Sequence, residues 1–330
     1  PPYVCTCCPE EKTCKRNHAY YTAHRAHAEY IKELSTSRKG IRTNPERLME
    51  INDILAPLIN KGQSINHIFA SHADEIGLSE KTIYNYIDMN AFHIRNIDLP
   101  KKVRYRQRHP HDVVMKMDYQ YRKGRTYTDF TSFMEQNPNA SIVEMDTVYN
   151  DVSNGPFIQT FKFMKYDLLI CVFHLVKDTG HMRLGILLLE SILGEEIFNR
   201  EVMVIKTDRG SEFTLGDEIE LRENGSRRTR IFYCDPMASY QKGSIENIHE
   251  MLRQICPKNC DLYALGLTSQ VKADRISSHI NSYPKEKLNG KTSFQLLEFF
   301  SPDMAQKLYD YGLHAIDPDH VTLKPFILKD

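Results

Sequence analysis

The chain carries no net charge: 43 lysines and arginines meet 43 aspartates and glutamates across 330 residues. That balance excludes a uniformly basic nucleic-acid binder, so any electrostatic footprint has to be local. Long hydrophobic runs are also missing. The richest stretch, Asp167 to Val176, is far shorter than the roughly 18 apolar residues that cross a bilayer. No leader pattern opens the chain, and a cytoplasmic protein is expected. The eight cysteines lack the loop-rich surroundings of a disulfide scaffold, which suits a reducing compartment. Internal repeats and low-complexity segments are absent. The first residue is Pro1 rather than methionine, which reads as a processed or incomplete version of a longer frame.

What is present falls into five stretches, and the length favours two or three folded units. Residues 1–39 are rich in cysteine and histidine: Cys5, Cys7, Cys8 and Cys14, then His18, His24 and His27. Cys5, Cys8, Cys14 and His18 could supply four tetrahedral ligands to Zn²⁺. The short gap between Cys8 and Cys14, and the spare Cys7, fit a set of free thiols as well.

Residues 40–92 turn helical. Leu48, Ile51, Ile54, Leu55, Leu58 and Ile59 recur at helix spacing after Asn44-Pro45, an N-terminal cap followed by a first-turn proline. A second helix starts at Ser64 and runs to about Ala73. Gly77 makes a turn, and Ser79 caps a third helix with Ile83 and Ile87 inward and Lys81, Tyr84 and Asn85 outward. Three helices with a glycine turn predict a helix-turn-helix whose last helix reads DNA; an ordinary three-helix bundle shows the same pattern. Basic residues flank it. Residues 93–140 form a basic linker in which Lys101, Lys102, Arg104, Arg106 and Arg108 can track a phosphate backbone.

From residue 141 to 300 the periodicity becomes that of an α/β unit. Ile142–Tyr149 is a strand, Phe157–Phe163 alternates, and Leu168–Val176 is a continuous apolar run. One helix is predicted from Asp178 or Thr179 through Phe198, then strands at Val202–Ile205 and Ile231–Tyr233, then a helix from Ser244 to Ile255 stopped by Pro257. This order predicts an RNase H-like mixed-sheet catalytic core behind the all-α domain. Residues 301–330 are a C-terminal extension.

Three carboxylates stand at telling places. Asp146 lies inside the first strand, where an unpaired charge is costly unless an ion or partner compensates. Asp208 follows a buried strand, at the kind of strand end where ligand crevices open. Its neighbour Gly210 would let another backbone approach. On the last helix, Ile245, Ile248, Leu252 and Ile255 make the buried stripe. Glu246, His249, Glu250 and Arg253 share another face. Asp146, Asp208 and Glu246 can together gather hard cations, since these take oxygen ligands. Arg253 would meet a phosphate. Two Mg²⁺ or Mn²⁺ ions on such a set suit in-line phosphoryl transfer.

Three blocks carry a family likeness: Ile142 to Val148 around Asp146, Thr207 to Phe213 around Asp208, and Lys242 to Asn247 around Glu246 with Arg253 following. They resemble the catalytic blocks of DDE transposases of the insertion-sequence-thirty type. The stretch from Asn281-Ser282-Tyr283-Pro284 to Phe294 is similar to the segment closing their integrase-like core. The resemblance implies transposition: binding of terminal inverted repeats, Mg²⁺-dependent cleavage, and joining of the freed 3′-hydroxyl to target DNA. It implies Asp146, Asp208 and Glu246 as the metal-binding triad, with Asn247 and Arg253 accessory. It also implies double-stranded DNA partners, a homodimer or larger synaptic complex, and a nucleoid-associated protein when bound. Arg209 stands where asparagine is usual in these blocks, and His249 where a second asparagine is common. Two other readings stay open: an RNase H-like nuclease or integrase without transposition, and a catalytically idle DNA-binding regulator derived from a transposase.

Overall fold

The computed structural model describes residues 4–6, 8–37, 40–100, 120–151, 155–235 and 238–329. Lys101, Lys102, Arg104, Arg106, Arg108 and Cys7 lie outside them. The chain divides into two compact units, residues 1–50 and 51–330.

In the first unit, the backbone N–H of Cys5 donates to Ala19 O at 2.5 Å, and Ala19 N–H returns a bond to Cys5 Sγ at 3.3 Å. Helix α1 (Ala23–Ser37) follows. Helix α2 (Pro45–Asn60) begins here, where Asn44 Oδ1 accepts from Arg47 N–H at 2.9 Å, the cap expected before a first-turn proline.

The second unit continues α2 into α3 (Ile65–Ile76) and α4 (Glu80–Asp88). Ser64 and Ser79 cap these helices through their side chains, and Gly77 closes α3 at φ 64°. Ile51, Leu55, Ile65, Ile68, Ile83 and Ile87 fill the space between the helices. The expected helical region is present with its stripes as read. The C-terminal extension lies on it: Gln63 Nε2 donates to Val321 O at 2.7 Å, Leu323 N–H to Lys61 O at 3.0 Å, and His72 Nε2 meets Asp319 Oδ1 at 2.7 Å.

After α5 (Tyr127–Gln136) come β1 (Ile142–Val148), β2 (Phe157–Phe163) and β3 (Leu168–His174). Next are α6 (Thr179–Leu193), α7 (Glu195–Glu201), β4 (Val204–Thr207), α8 (Gly216–Glu220) and β5 (Arg230–Tyr233). The remaining helices are α9 (Gly243–Ile255), α10 (Gln270–Asn281), α11 (Ser293–Phe300) and α12 (Pro302–Tyr311). The single helix expected from Asp178 to Phe198 is two, because Gly194 takes φ 77° and ends α6.

One sheet of order β3-β2-β1-β4-β5 results, antiparallel across β1, β2 and β3 and parallel from β1 to β4 to β5. This is the RNase H-like arrangement. Side chains alternate across the sheet, so Val143, Met145, Phe161 and Phe163 join α6, α7, α11 and α12 in one core, whereas Val148, Ile158, Leu169 and Cys171 pack on α9 and α10 in the other. All seven residues of β2 are buried, although the sequence alternates there. Its polar members are paired instead of wet. Gln159 Nε2 donates to Met182 O at 3.0 Å, and Lys162 pairs with Asp167.

The open edge of β3 is closed by side chains of α10. Asn281 accepts from Leu169 N–H at 2.8 Å and donates to Leu169 O at 2.7 Å; Ser277 Oγ accepts from Cys171 N–H at 3.0 Å. Gln270 does the same for Phe173 N–H at 2.8 Å and Cys171 O at 2.9 Å. One helix thereby supplies the bonds that a further strand would make, which removes a template for edge pairing.

Candidate active site

Register and alternation put Glu144 and Asp146 on the α9 side of β1, opposite Lys162 and Thr160 of β2. Lys206 and Asp208 share that side at the end of β4. The buried polar row lies between the sheet and the helix that carries Glu246.

Asp146 and Asp208 are built alike. Asp146 Oδ1 accepts from Thr147 N–H at 2.8 Å, and Asp208 Oδ1 accepts from Gly210 N–H at 3.0 Å. Each carboxylate is thus tethered by one oxygen and presents the other. The two Oδ2 atoms converge on Lys242 Nζ, at 3.1 Å from Asp146 and 3.5 Å from Asp208. Burial alone would lower the Lys242 ammonium, but Asp146 and Asp208 outweigh it and raise its pKa. Gly210 has an ordinary negative φ, −57°. Its missing side chain matters because a Cβ there would stand 2.5 Å from Glu212 Oε2. It is a side chain that approaches, not the second backbone expected from the sequence.

Glu246 is exposed on α9 and opens into a cavity of about 820 Å³ that Thr147, His249, Arg253, Lys258 and Lys324 also line. Neither Asp146 nor Asp208 lines it. Among the described residues no three carboxylate, imidazole or thiol groups stand together as a metal site. The structure therefore brings Asp146 and Asp208 together and leaves Glu246 beside the end of β1. Asn247 faces a separate cavity of about 460 Å³ with Lys162, Lys285 and Lys287. These three lysines surround Asp167; burial would raise its carboxyl, but Lys285 and Lys162 bring it down to about 2.

Arg253 is not free for a phosphate as placed. Its Nη1 donates to Asn150 Oδ1 at 2.5 Å and its Nη2 to Tyr149 O at 2.9 Å, so it fastens the loop that leaves β1 just after Asp146. Burial lowers its pKa. Arg209 likewise works within the fold: Nε donates to Cys234 O at 2.8 Å and Nη2 pairs with Asp235 at 2.6 Å, which ties the ends of β4 and β5. His249 sits under the site. The Thr160 hydroxyl donates to Asp146 O at 3.0 Å, so the 2.9 Å contact with His249 Nε2 makes that nitrogen the donor. Burial pushes His249 down to about 3 and keeps the ring neutral.

Glu144 escaped the sequence reading. It is buried, its Oε2 accepts from Ile245 N–H at 2.7 Å in the first turn of α9, and its Oε1 pairs with Lys206 at 2.9 Å. An anion at a helix N-terminus is favourable, so Glu144 sets where the helix of Glu246 begins. The available signal was a second acidic residue two positions before Asp146, on the same face of the strand.

Lys81 and Asn85 are exposed and Tyr84 is half-buried, all on one face of α4. Cys5, Cys8 and Cys14 are free thiols of intermediate burial, and His18 Nδ1 contacts Tyr20 OH at 3.2 Å.

Two carboxylates thus come together from adjacent parallel strands, Asp146 within β1 and Asp208 just past β4, on a mixed sheet followed by a helix that bears a third acid. Curated homologues of the chain are transposases of the insertion-sequence-30 type. The probable transposase of insertion-like sequence element IS1161 from Streptococcus salivarius is 23% identical over 268 residues, 81% of this chain and 69% of that protein. The transposase of insertion sequence element IS1086 from Cupriavidus metallidurans is 32% identical over 90 residues, 27% of this chain and 24% of that one. Transposase InsI of insertion sequence element IS30A from Escherichia coli is 29% identical over 91 residues, 28% and 22% respectively. The matches to the last two span less than a quarter of those proteins. Among solved structures, the HTLV-2 integrase catalytic core domain in complex with magnesium aligns over 47% of this chain and 94% of that domain, at 17% identity and a TM-score of 0.31. No family model matches the chain.

Proposed function

We propose that the protein is a DDE transposase that cuts DNA at the ends of a mobile element and joins the freed 3′-hydroxyl to target DNA, with Asp146, Asp208 and Glu246 as its metal-binding acids. The observation that carries this reading is the convergence of two tethered carboxylates on one cation. Two oxygens aimed at a single positive centre are the donor set a hard divalent ion takes, so the residues fit Mg²⁺ or Mn²⁺. When bound, such ions activate an attacking water or 3′-hydroxyl and stabilise the leaving oxygen.

The chain's own residues do the rest. Asp146 and Asp208 hold their free oxygens in place through backbone N–H groups. Glu144 and Lys206 fix the start of α9 and with it Glu246. Arg253 and Asn150 hold the loop beside Asp146. Lys81, Tyr84 and Asn85 would read base edges from α4, whereas Lys101, Lys102, Arg104, Arg106 and Arg108 would meet phosphates. A dimer or larger assembly would hold two element ends. Zinc at Cys5, Cys8, Cys14 and His18 remains a separate proposal. Among the described residues no helix is long and apolar enough to cross a membrane.

A second reading, an idle DNA-binding regulator, draws on one observation: an ammonium stands where the cation would bind. The experiment is strand transfer of a labelled terminal 3′ end into a second duplex, with Mg²⁺ and with chelator. The proposal expects Mg²⁺-dependent joined products, absent from Asp146→Asn, whose DNA affinity stays close to that of the parent. Hydrolysis without joining would indicate a nuclease, and binding without cleavage a regulator.

A further inference from the structure

Lys242 stands at the carboxylates and has no part in the proposed chemistry. Its side chain is 8% exposed, and its Nζ finds no aligned hydrogen-bond partner although both Oδ2 atoms lie close. We propose that Lys242 is an internal counter-ion: it holds Asp146 and Asp208 together while no divalent cation is bound, and it leaves the space between them when one binds. This inference rests on the metal-binding reading above and concerns what that binding must displace.

Three features of the geometry lead to it. The charges do not match, because one ammonium between two carboxylates leaves a net negative centre that a divalent ion would neutralise. The contact is loose. At 3.1 and 3.5 Å it is longer than a charge-assisted hydrogen bond, which closes to about 2.8 Å, so attraction rather than directed bonding keeps the ammonium there. The backbone beside the lysine is also uncrowded. Lys242 ends a short turn (Ser239–Lys242) with φ −125° and ψ 25°, just before α9, and a Cβ added at the next residue, Gly243, would meet nothing within 4 Å. Displacement of the side chain need not unwind the helix, whose start Glu144 holds independently. Of the titratable groups nearby, Cys234 is raised to about 11 by burial and stays neutral, His249 is neutral as well, and the Glu144 carboxylate is taken by Lys206 and Ile245 N–H, so none offers the ammonium an alternative partner.

The consequence is a threshold. A metal ion entering the site has to compete with a tethered cation, and the carboxylates remain together in its absence. Lys242 is thus a positioning residue, and its effect is read in binding and stability.

The test is Mn²⁺ binding to the full chain, followed by the paramagnetic signal of free Mn²⁺, for the parent, Lys242→Gln, Lys242→Arg and Asp146→Asn. Lys242→Gln is expected to bind Mn²⁺ about tenfold tighter, to melt lower than the parent without metal, and to recover that loss when Mn²⁺ is added. Lys242→Arg, which keeps the charge, is expected to stay near the parent. Loss of binding in Asp146→Asn with unchanged affinity in Lys242→Gln would overturn the inference and leave the metal site standing. Absence of binding in the parent and in Lys242→Gln would overturn both. A second measurement needs no variant: in the parent, saturating Mn²⁺ should raise the labelling of Lys242 by an amine-reactive ester, read by peptide mass spectrometry. Equal labelling with and without Mn²⁺ would refute displacement.

Discussion

Replacing Glu144 by glutamine should weaken the fold at the junction of the sheet and α9. The wild-type carboxylate is 1% exposed, accepts from Ile245 N–H and pairs with Lys206, whose side chain is itself 10% exposed. Glutamine keeps an acceptor for Ile245 but removes the charge, so a charge-assisted bond of ~1.5–3 kcal/mol falls to the ~0.5–1.5 kcal/mol of a neutral one. The larger effect is on Lys206. Breaking a buried pair from one side typically costs ~3–5 kcal/mol. The Lys206 ammonium keeps some relief, since it stands 5.4 Å from the Phe130 ring centroid. The expected loss for Glu144→Gln is therefore about 2–3 kcal/mol, measured by urea unfolding followed by circular dichroism. Lys206→Met alone should also destabilise, because it leaves the carboxylate unpaired. The double variant should lose less than the sum of the two, with a coupling of about 2 kcal/mol. A single-variant loss below about 0.5 kcal/mol, or simple additivity in the cycle, would refute the role assigned to Glu144.

Burial pushes His67, His174 and His279 down to about 4 and His249 to about 3. Their unfolded pKa is about 6.5, so the unfolded chain binds more protons between these values. Stability is fully present above pH 6.5 and falls as pH drops toward 4, by ~1–2 kcal/mol per buried histidine at pH 5; equal urea midpoints at pH 7.5 and pH 5 would contradict this. Asn281→Ala should cost ~2–4 kcal/mol, because Leu169 N–H and C=O lose their partner at the edge of β3; a loss below about 0.5 kcal/mol would show that the edge is satisfied otherwise. Replacing Lys81 and Asn85 with alanine should flatten sequence preference in a binding selection, whereas replacing Arg104 and Arg106 should weaken all duplexes alike and reduce the salt dependence. Identical behaviour of the two pairs would remove α4 as the reading helix.

Much of this architecture was legible because it is local. Caps at Asn44, Ser64 and Ser79, the turn at Gly77, the stripe Ile245, Ile248, Leu252, Ile255 and the apolar run of β3 each declare themselves within a few residues. Asp146 and Asp208 were also legible, since a charge inside a strand and a charge at a strand end are locally anomalous. What stayed hidden depends on partners far along the chain. The polar positions of β2 look solvent-facing until α6 covers one face and α9 the other; Gln159 then meets Met182 O, Thr160 meets His249, and Lys162 pairs with Asp167. Arg253 shares a face of α9 with Glu246 by periodicity, yet Tyr149 and Asn150 claim it. Glu144 meets Ile245 and Lys206, and Lys242 meets Asp146 and Asp208, all on elements distant along the chain, and no spacing rule reports such pairs. Gly194 was read through because the apolar pattern of α6 continues across it into α7 at Ile197 and Phe198.

In the proposed function Asp146 and Asp208, completed by Glu246, hold a divalent cation. The most direct test of that claim replaces the natural ion with Fe²⁺ in the full chain and adds ascorbate and peroxide, so that hydroxyl radicals cut the polypeptide beside the bound metal. Cuts clustered around residues 146, 208 and 246, suppressed by excess Mg²⁺ and missing from Asp208→Asn, are the expected result. Cleavage confined to the cysteine- and histidine-rich first unit, or none that Mg²⁺ can suppress, would contradict the account.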